Sequence, residues 1–392
     1  MTSGVQVLQT LLDSGPQTRP EVAAAVGLSK PTVSDAIRRL EAAHLVRATG
    51  QRHGARGRSP VAYDLAPDAG YVLAADIGGA NLRVMACDLR GERIASLTRP
   101  TEPLGGKAVA AQVVDLLHAL LAGAALDPSH ILALAVSTPG VVDPETAEVS
   151  LCYNIGQTEA FDLRSLLTTH FPVPTVLDNN VNCAARGEQQ RGHARGVPTF
   201  AFISVGAGIG MGLVYEGKVL HGRRGAAGEI GYFPLALDPF APEHRRRGAL
   251  EDEASGPGML DAAARRDGWP DSPPASVEEL FALAKDGVAP ALAVIEREAQ
   301  LLGMAVATVC AVLDPHLVVL GGGIGANHQL LAGVREVVEN LFPTPPQLES
   351  TKLGREASLY GAADIALDVA RRELLQRAAE CDRDLAQVEP VP

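Results

Sequence analysis

The sequence predicts an α/β protein in two parts, an N-terminal winged helix-turn-helix module and a two-lobed α/β body. Three observations predict it. Residues 1–65 hold three short helical periodicities, followed by two strand-like runs around a basic tip. Beyond residue 70 a strand–glycine–strand hairpin occurs twice, about 125 residues apart, which indicates a duplicated fold with a cleft between its lobes. Charge divides along the same line. Residues 1–62 carry eight Lys/Arg against four Asp/Glu and the remainder carries 26 against 42, so a +4 module sits on a −16 body.

In the first module, Val5, Val7, Leu8, Leu11 and Leu12 recur at helical spacing and stop at Gly15. Thr18 caps a second helix with Pro20 and Glu21 in its first turn and Val22 and Val26 facing inward. Gly27-Leu28 supplies a turn. Ser29 then caps a third helix that has Pro31 in its first turn and Val33, Ile37 and Leu40 as apolar positions. Ser29, Lys30, Thr32, Ser34 and Arg38 bring hydroxyls and cations to that helix's N-terminal end, where they meet phosphates and base edges in a major groove. Val33 is counted with them as a DNA-contacting residue. Leu45-Val46-Arg47 and Val61 to Leu65 read as strands around Gly50 to Pro60, a wing whose Arg56 and Arg58 reach a minor groove. The alternative is a protein-interaction module with a basic loop. The wing, placed directly after the third helix, favours DNA.

In the body, Tyr71 to Ala75 is a strand, followed by Asp76, Gly78, Gly79, Ala80 and a second strand at Val84 to Cys87. The glycines let backbone amides close on a phosphate, and Asp76 is placed to hold a metal or water. The unit recurs as Phe200 to Ile203, then Ser204, Gly206, Gly208 and Gly210, then Leu213 to Tyr215. A third glycine turn, Gly322-Gly323, follows the strand Leu317 to Leu320. The longest apolar run, Leu301 to Leu313, is too short to span a bilayer and reads as a buried helix. Ser358 to Ala379 is Ala/Leu-rich at helical spacing, and residues 381–392 read as a frayed tail. The domains are therefore 1–66 and 67–380, the lobes of the second meeting near 185–198.

A hydrophobic content of 46% supports sizeable cores and excludes a disordered chain. Met1 to Gly15 lacks the basic and long apolar segments of a leader. Cys87, Cys152, Cys183, Cys310 and Cys381 are odd in number and far apart, which indicates reduced thiols. A cytoplasmic protein with no membrane partner is expected.

Ser137-Thr138-Pro139-Gly140-Val141-Val142-Asp143 and Gly228-Glu229-Ile230-Gly231, taken with the three glycine turns, resemble the ROK family of repressors and sugar kinases. The likeness runs from about Tyr71 to Leu367, with the N-terminal module attached as in that family's repressors. It implies an actin-like ATPase (ribonuclease H-like) fold. It also implies a sugar site at Asn154, Asn179, Asn180, Glu229 and Tyr232, and a nucleotide site at Asp76, Gly78, Gly79, Ser204, Gly206, Gly208, Gly210, Gly322 and Gly323.

The sequence departs from the family's kinases at three points. Their E-N-D-A-N segment, whose Asp takes the sugar-hydroxyl proton, reads here Asp178-Asn179-Asn180-Val181-Asn182, so Asn180 holds the general-base position and no catalytic residue is assigned. The family's zinc-binding His and Cys loop is absent: Tyr232 holds the His position and Pro242 to Glu251 has no cysteine, so no metal is expected. Ala80 replaces the phosphate turn's Thr, and the remaining glycines either bind ATP or merely preserve the fold. No cofactor is assigned. The expectation is a transcriptional regulator of carbohydrate genes, not an enzyme. Its partners are a double-stranded DNA operator, a sugar or sugar-phosphate effector and a second copy or more, as homodimer or homotetramer. The alternative is a sugar kinase with an accessory DNA-binding domain.

Overall fold

The computed structural model describes residues 1–51, 60–103, 105–150, 163–236 and 238–383. The first module comprises α1 (Ser3–Ser14), β1 (Gln17–Thr18), α2 (Arg19–Val26), α3 (Lys30–Ala42), β2 (Val46–Gln51) and β3 (Val61–Leu65). α1 buries Val7, Leu8, Leu11 and Leu12, as its spacing requires, and Gly15 ends it at φ 74°. Before α2, the Glu21 carboxylate accepts from Thr18 N at 2.7 Å, half of a capping box. Ser29 Oγ caps α3 by accepting from Thr32 N at 3.3 Å. The sheet order is β1-β3-β2; β1, which periodicity had not indicated, pairs Gln17 with Tyr63. β2 runs on to Gln51, beyond the expected end at Arg47, with a bulge between Ala48 and Gly50. The wing tip, with Arg56 and Arg58, lies outside the described residues.

The first lobe follows with β4 (Tyr71–Ile77), β5 (Asn81–Cys87), β6 (Arg93–Pro100), α4 (Gly106–Gly123) and β7 (Ile131–Thr138). Then come β8 (Val141–Val142), β9 (Val149–Ser150), α5 (Leu163–His170), β10 (Thr175–Asn179) and α6 (Asn180–Arg191). Its sheet is ordered β10-β7-β4-β5-β6, with the β4–β5–β6 strands antiparallel and β7 and β10 parallel. Every residue of β4 is buried, which explains its unbroken apolar run. α4 is long and apolar enough to cross a membrane by length and composition, and half of it is buried. Its Val109, Val113 and Leu117 pack into the lobe's core.

The second lobe begins with β11 (Phe200–Val205), β12 (Ile209–Tyr215), β13 (Lys218–Val219), α7 (His244–Arg247), α8 (Ala249–Ala254) and α9 (Gly256–Ala264). It continues with α10 (Val277–Lys285), α11 (Ala289–Leu313), β14 (Leu317–Gly321), α12 (Gly322–Gly325), α13 (His328–Leu341) and β15 (Gln347–Ser350). The order β13-β12-β11-β14-β15 again joins an antiparallel hairpin to parallel strands, so the duplication read from the glycine hairpins is present. The apolar run Leu301 to Leu313 forms the C-terminal half of α11; Leu301, Leu302, Ala305, Val306, Val309 and Cys310 are buried, and Val312 in its last turn is exposed.

α14 (Ala357–Arg383) returns to the first lobe and takes in the first three residues, 381–383, of the stretch expected to be a frayed tail. It crosses α6 at close range: a Cβ on Gly361 would lie 1.7 Å from the Cys183 carbonyl oxygen, and one on Gly187 2.3 Å from that of Ala357. Arg191 Nη2 donates to Asp364 Oδ1 at 2.6 Å beside the crossing. One apolar cluster joins Val7, Leu8 and Leu11 of α1 to Leu89 of the first lobe and Leu374 and Ala378 of α14, so the first module and the body share a core. The two lobe crossovers, 192–199 and 351–356, are both tied to Glu188, which is fully buried. Its Oε1 accepts from Thr351 Oγ1 (2.6 Å), Lys352 N (2.9 Å) and Leu353 N (3.0 Å), and its Oε2 from His193 N (2.9 Å). Only glycine fits at 192, where a Cβ would stand 1.8 Å from Glu188 Oε2.

Candidate nucleic-acid interface and ligand cleft

Ser29, the N-cap of α3, and Lys30, Thr32 and Arg38 within it are exposed, and Ser34 is half-buried. Val33 is not exposed with them. It is 0% exposed and packs in the module's core, because it shares the inner stripe with Ile37 one turn on; its assignment as a DNA contact is corrected. Ser29 Oγ and Thr32 Oγ1 lie 2.7 Å apart, so one hydroxyl proton is already used between them. Asp35 pairs with both Arg38 and Arg39, and the hydrogen bond from Arg38 leads in lowering its carboxyl below the usual range. The spacing of three and four residues carries that signal in the sequence. Arg39 turns inward, with Nη2 3.1 Å from Ser3 Oγ and 2.8 Å from Asp382 Oδ1.

In the cleft, Asn179 and Asn180 stand where β10 passes into α6. Asn179 Oδ1 accepts from Val181 N (2.8 Å) and Asn182 N (3.3 Å), and its Nδ2 donates to the Gly140 carbonyl (2.7 Å). One amide hydrogen is left for a ligand. The Asn180 side chain is half-buried and makes no hydrogen bond among the described residues. Asp178 accepts from Asn179 N at 2.7 Å and Asn182 Nδ2 at 3.3 Å through Oδ1, and its Oδ2 lies 3.0 Å from His221 Nε2. His221 follows the last hairpin strand of the second lobe, so this pair joins the lobes. The hydrogen bond to Asp178 pushes the imidazole up against the opposing effect of burial. The sequence separation of 43 between the partners hid the contact from periodicity.

Glu229 is half-buried, and burial first, then the neighbouring Glu251, push its carboxyl up. The Tyr232 hydroxyl donates to the Arg246 carbonyl at 3.1 Å, toward the neighbouring loop. Asn154 lies outside the described residues.

Of the nucleotide-site positions, Asp76 is buried and held by protein groups: Oδ1 accepts from Ser137 Oγ at 2.9 Å, and Oδ2 lies 3.2 Å from Arg83 Nη1. Burial raises its carboxyl, with Ser137 and Arg83 opposing. Gly78 is required sterically, a Cβ there coming 2.8 Å from the Asn81 carbonyl oxygen, whereas Gly79 has open space. In the second lobe, Ser204 stands in register with Gly210 and Gly321, and Gly206 N donates to the Gly208 carbonyl at 3.0 Å. Gly322 has φ 80° and closes to 2.3 Å (Cβ to the Val205 carbonyl oxygen), which sets Gly323 N 3.7 Å from a Cβ on Gly206. The six second-lobe positions thus form one cradle, while Asp76, Gly78 and Gly79 belong to the first-lobe hairpin.

The segment that stands where the family's kinases carry the zinc loop folds as α7 and α8. His244 Nδ1 lies 2.9 Å from Asp252 Oδ2, and Arg247 Nε 3.1 Å from Glu251 Oε1. Arg247 Nη2 also donates to the Ala207 carbonyl at 3.1 Å, and Glu251 Oε2 accepts from Ile209 N at 2.8 Å, fastening the glycine turn. The run Arg245 to Arg247 thus lies in a helical turn with Arg247 engaged. Among the described residues no group of three His, Cys, Asp or Glu is placed to hold a metal, and with His244 committed to Asp252 the residues do not fit zinc.

The chain matches the ROK family over residues 72–369 and the winged helix-turn-helix DNA-binding family over residues 4–47. A xylose repressor of Caldicellulosiruptor bescii is 26% identical over 343 residues, 85% of this chain and 86% of its own length. A glucokinase of Halalkalibacterium halodurans is 29% identical over 311 residues, 74% of this chain and 93% of its own. Among solved structures, a ROK family transcriptional regulator described as a homolog of the E. coli MLC protein superposes with TM-score 0.76 at 24% identity, over 96% of this chain and 98% of that one. A Streptomyces griseus ROK glucokinase in complex with glucose and AMPPNP gives TM-score 0.63 at 25% identity, over 76% and 100%. By its sequence match and its doubled sheet alike, the chain belongs to the ROK family, an actin-like body preceded by a winged helix-turn-helix DNA-binding domain.

Proposed function

We propose that this protein is a transcriptional repressor of carbohydrate-metabolism genes, gated by a sugar or sugar-derived ligand in a cleft that binds without transferring phosphate. One combination carries the reading: a DNA-facing Ser29, Lys30, Thr32 and Arg38 on α3, and an amide, Asn180, where a phosphotransferase needs a carboxylate. An amide accepts and donates hydrogen bonds to a polyol but takes no proton at neutral pH. Loss of a general base lowers a rate by ~10²–10⁴-fold. Asp178, the carboxylate two residues away in sequence, is engaged by His221, Asn182 and its own neighbour's amide. The likeness to the xylose repressor covers 85% of the chain and that to the glucokinase 74%, which supports regulation over catalysis.

Two copies place their reading helices in successive major grooves of a palindromic operator, about 34 Å apart. The ligand shifts that geometry only so far as it prefers one lobe arrangement. The test is selection of duplexes from a random-sequence pool at physiological salt, then mobility shifts with D-xylose, D-glucose and their phosphates. A palindromic preference relieved by one of these sugars is expected; absence of any sequence preference sinks the reading. The rival, a sugar kinase with an accessory DNA-binding domain, draws on the intact glycine cradle. It predicts turnover with ATP, magnesium and a panel of pentoses and hexoses, where we expect background.

A further inference from the structure

The two ends of the described chain meet beside the DNA-reading helix. α14 begins against α6, whose first residue is Asn180, and runs 27 residues to Arg383, so its last turn docks on the first turn of α1. There Asp382 Oδ2 accepts a hydrogen bond from Gly4 N at 2.9 Å. Its Oδ1 lies 2.8 Å from Arg39 Nη2, an ion contact at an angle outside hydrogen-bond geometry. The Asp382 and Arg39 side chains are only 9% and 17% exposed, whereas Arg38 next door is 75% exposed. Arg39 is thus turned away from any DNA on the outer face of α3. A carboxylate on a free N–H of a helix's first turn is favoured by the helix dipole, and a shielded ion pair is weakly screened by salt. The fit is close: a Cβ on Gly4 would lie 2.9 Å from Asp382 Oδ2 and 3.0 Å from Oδ1.

We propose that Asp382 is a positioning residue for DNA recognition. It caps α1 and holds α3 to the body through Arg39, so that the cleft helix α6, the returning helix α14 and the reading helix move as one unit. The proposal rests on the DNA-binding reading above. It assigns a role to a C-terminal carboxylate that makes no contact with nucleic acid itself.

Two full-length variants test it by different physical routes. Asp382→Ala deletes the carboxylate. Gly4→Ala deletes no charge and adds a helix-favouring methyl, yet its Cβ displaces the same carboxylate. Hydrogen exchange of α1 and α3 is measured on the free protein, and affinity for the wild-type-selected duplex is measured across a salt series. Both variants are expected to exchange at least several-fold faster in the first turn of α1 and to bind DNA about tenfold more weakly, a typical coupling between two sites. The slope of log affinity against log salt stays unchanged, because no phosphate contact is removed. The double variant is no weaker than either single one, since both break the same contact. Affinity within twofold of wild type, tighter binding, or a reduced salt slope would each overturn the proposal. If the wild type selects no duplex, the DNA-binding reading fails on its own, and unchanged exchange in both variants still refutes the tether.

Discussion

Arg38 and Arg39 are adjacent in sequence and opposite in orientation, since one is 75% exposed to solvent and the other, 17% exposed, faces the protein. Arg38→Ala is expected to weaken binding to all duplexes alike and to lower the salt slope by about 1, as loss of one phosphate contact requires, measured by fluorescence anisotropy across salt. His221 gives a pH-dependent prediction. Its hydrogen bond to Asp178 raises the folded-state value above the ordinary 6.5. The stabilisation is therefore complete below about pH 6.5 and is lost as pH rises through the raised value. His221→Gln should melt earlier than wild type near pH 6, with the gap narrowing as pH rises through the raised value; a pH-independent gap would contradict this. Residue identities were well marked on α3, where Val33, Ile37 and Leu40 repeat at helical spacing. That repeat itself marks Val33 as core, and its inclusion among DNA contacts overrode the periodicity.

At the scale of elements, helices and hairpins followed from local rules. Thr18 with Glu21, Ser29 with Thr32, and Gly15 and Gly27 fix the ends of the first three helices from neighbours within four residues. The contacts that make a site from these elements are long-range, so local periodicity carries no trace of them. Asp178 meets His221, and Glu188 meets Thr351 across 163 residues. The α6–α14 crossing is of this kind, yet it leaves a mark in the choice of glycine. Gly361→Ala places a methyl on the Cys183 carbonyl oxygen and must force the helices apart. The expected cost is about 1–3 kcal/mol, read by denaturant titration, with an unchanged m-value if the fold persists.

At the scale of the whole molecule, the first module depends on the body. Leu8 and Leu11 share one apolar cluster with Leu89, Leu374 and Ala378, and Arg90 Nη2 donates to the Leu11 carbonyl at 3.3 Å while pairing with Asp64. Removing that cover exposes leucines worth roughly 1.5–3 kcal/mol each when fully buried. A fragment of residues 1–66 is therefore expected to melt well below the same segment in the full chain, followed by circular dichroism and amide protection. A fragment as stable as the full chain would show that the shared cluster contributes nothing.

The Glu188 carboxylate has a mechanical consequence. Both segments that cross between the lobes hang from this one buried group, and Gly192 lets the chain close tightly around it. Two covalent links fastened at a common point act as a pivot: drawing both links off that carboxylate strains four hydrogen bonds at once, whereas a small rotation about it leaves them in place.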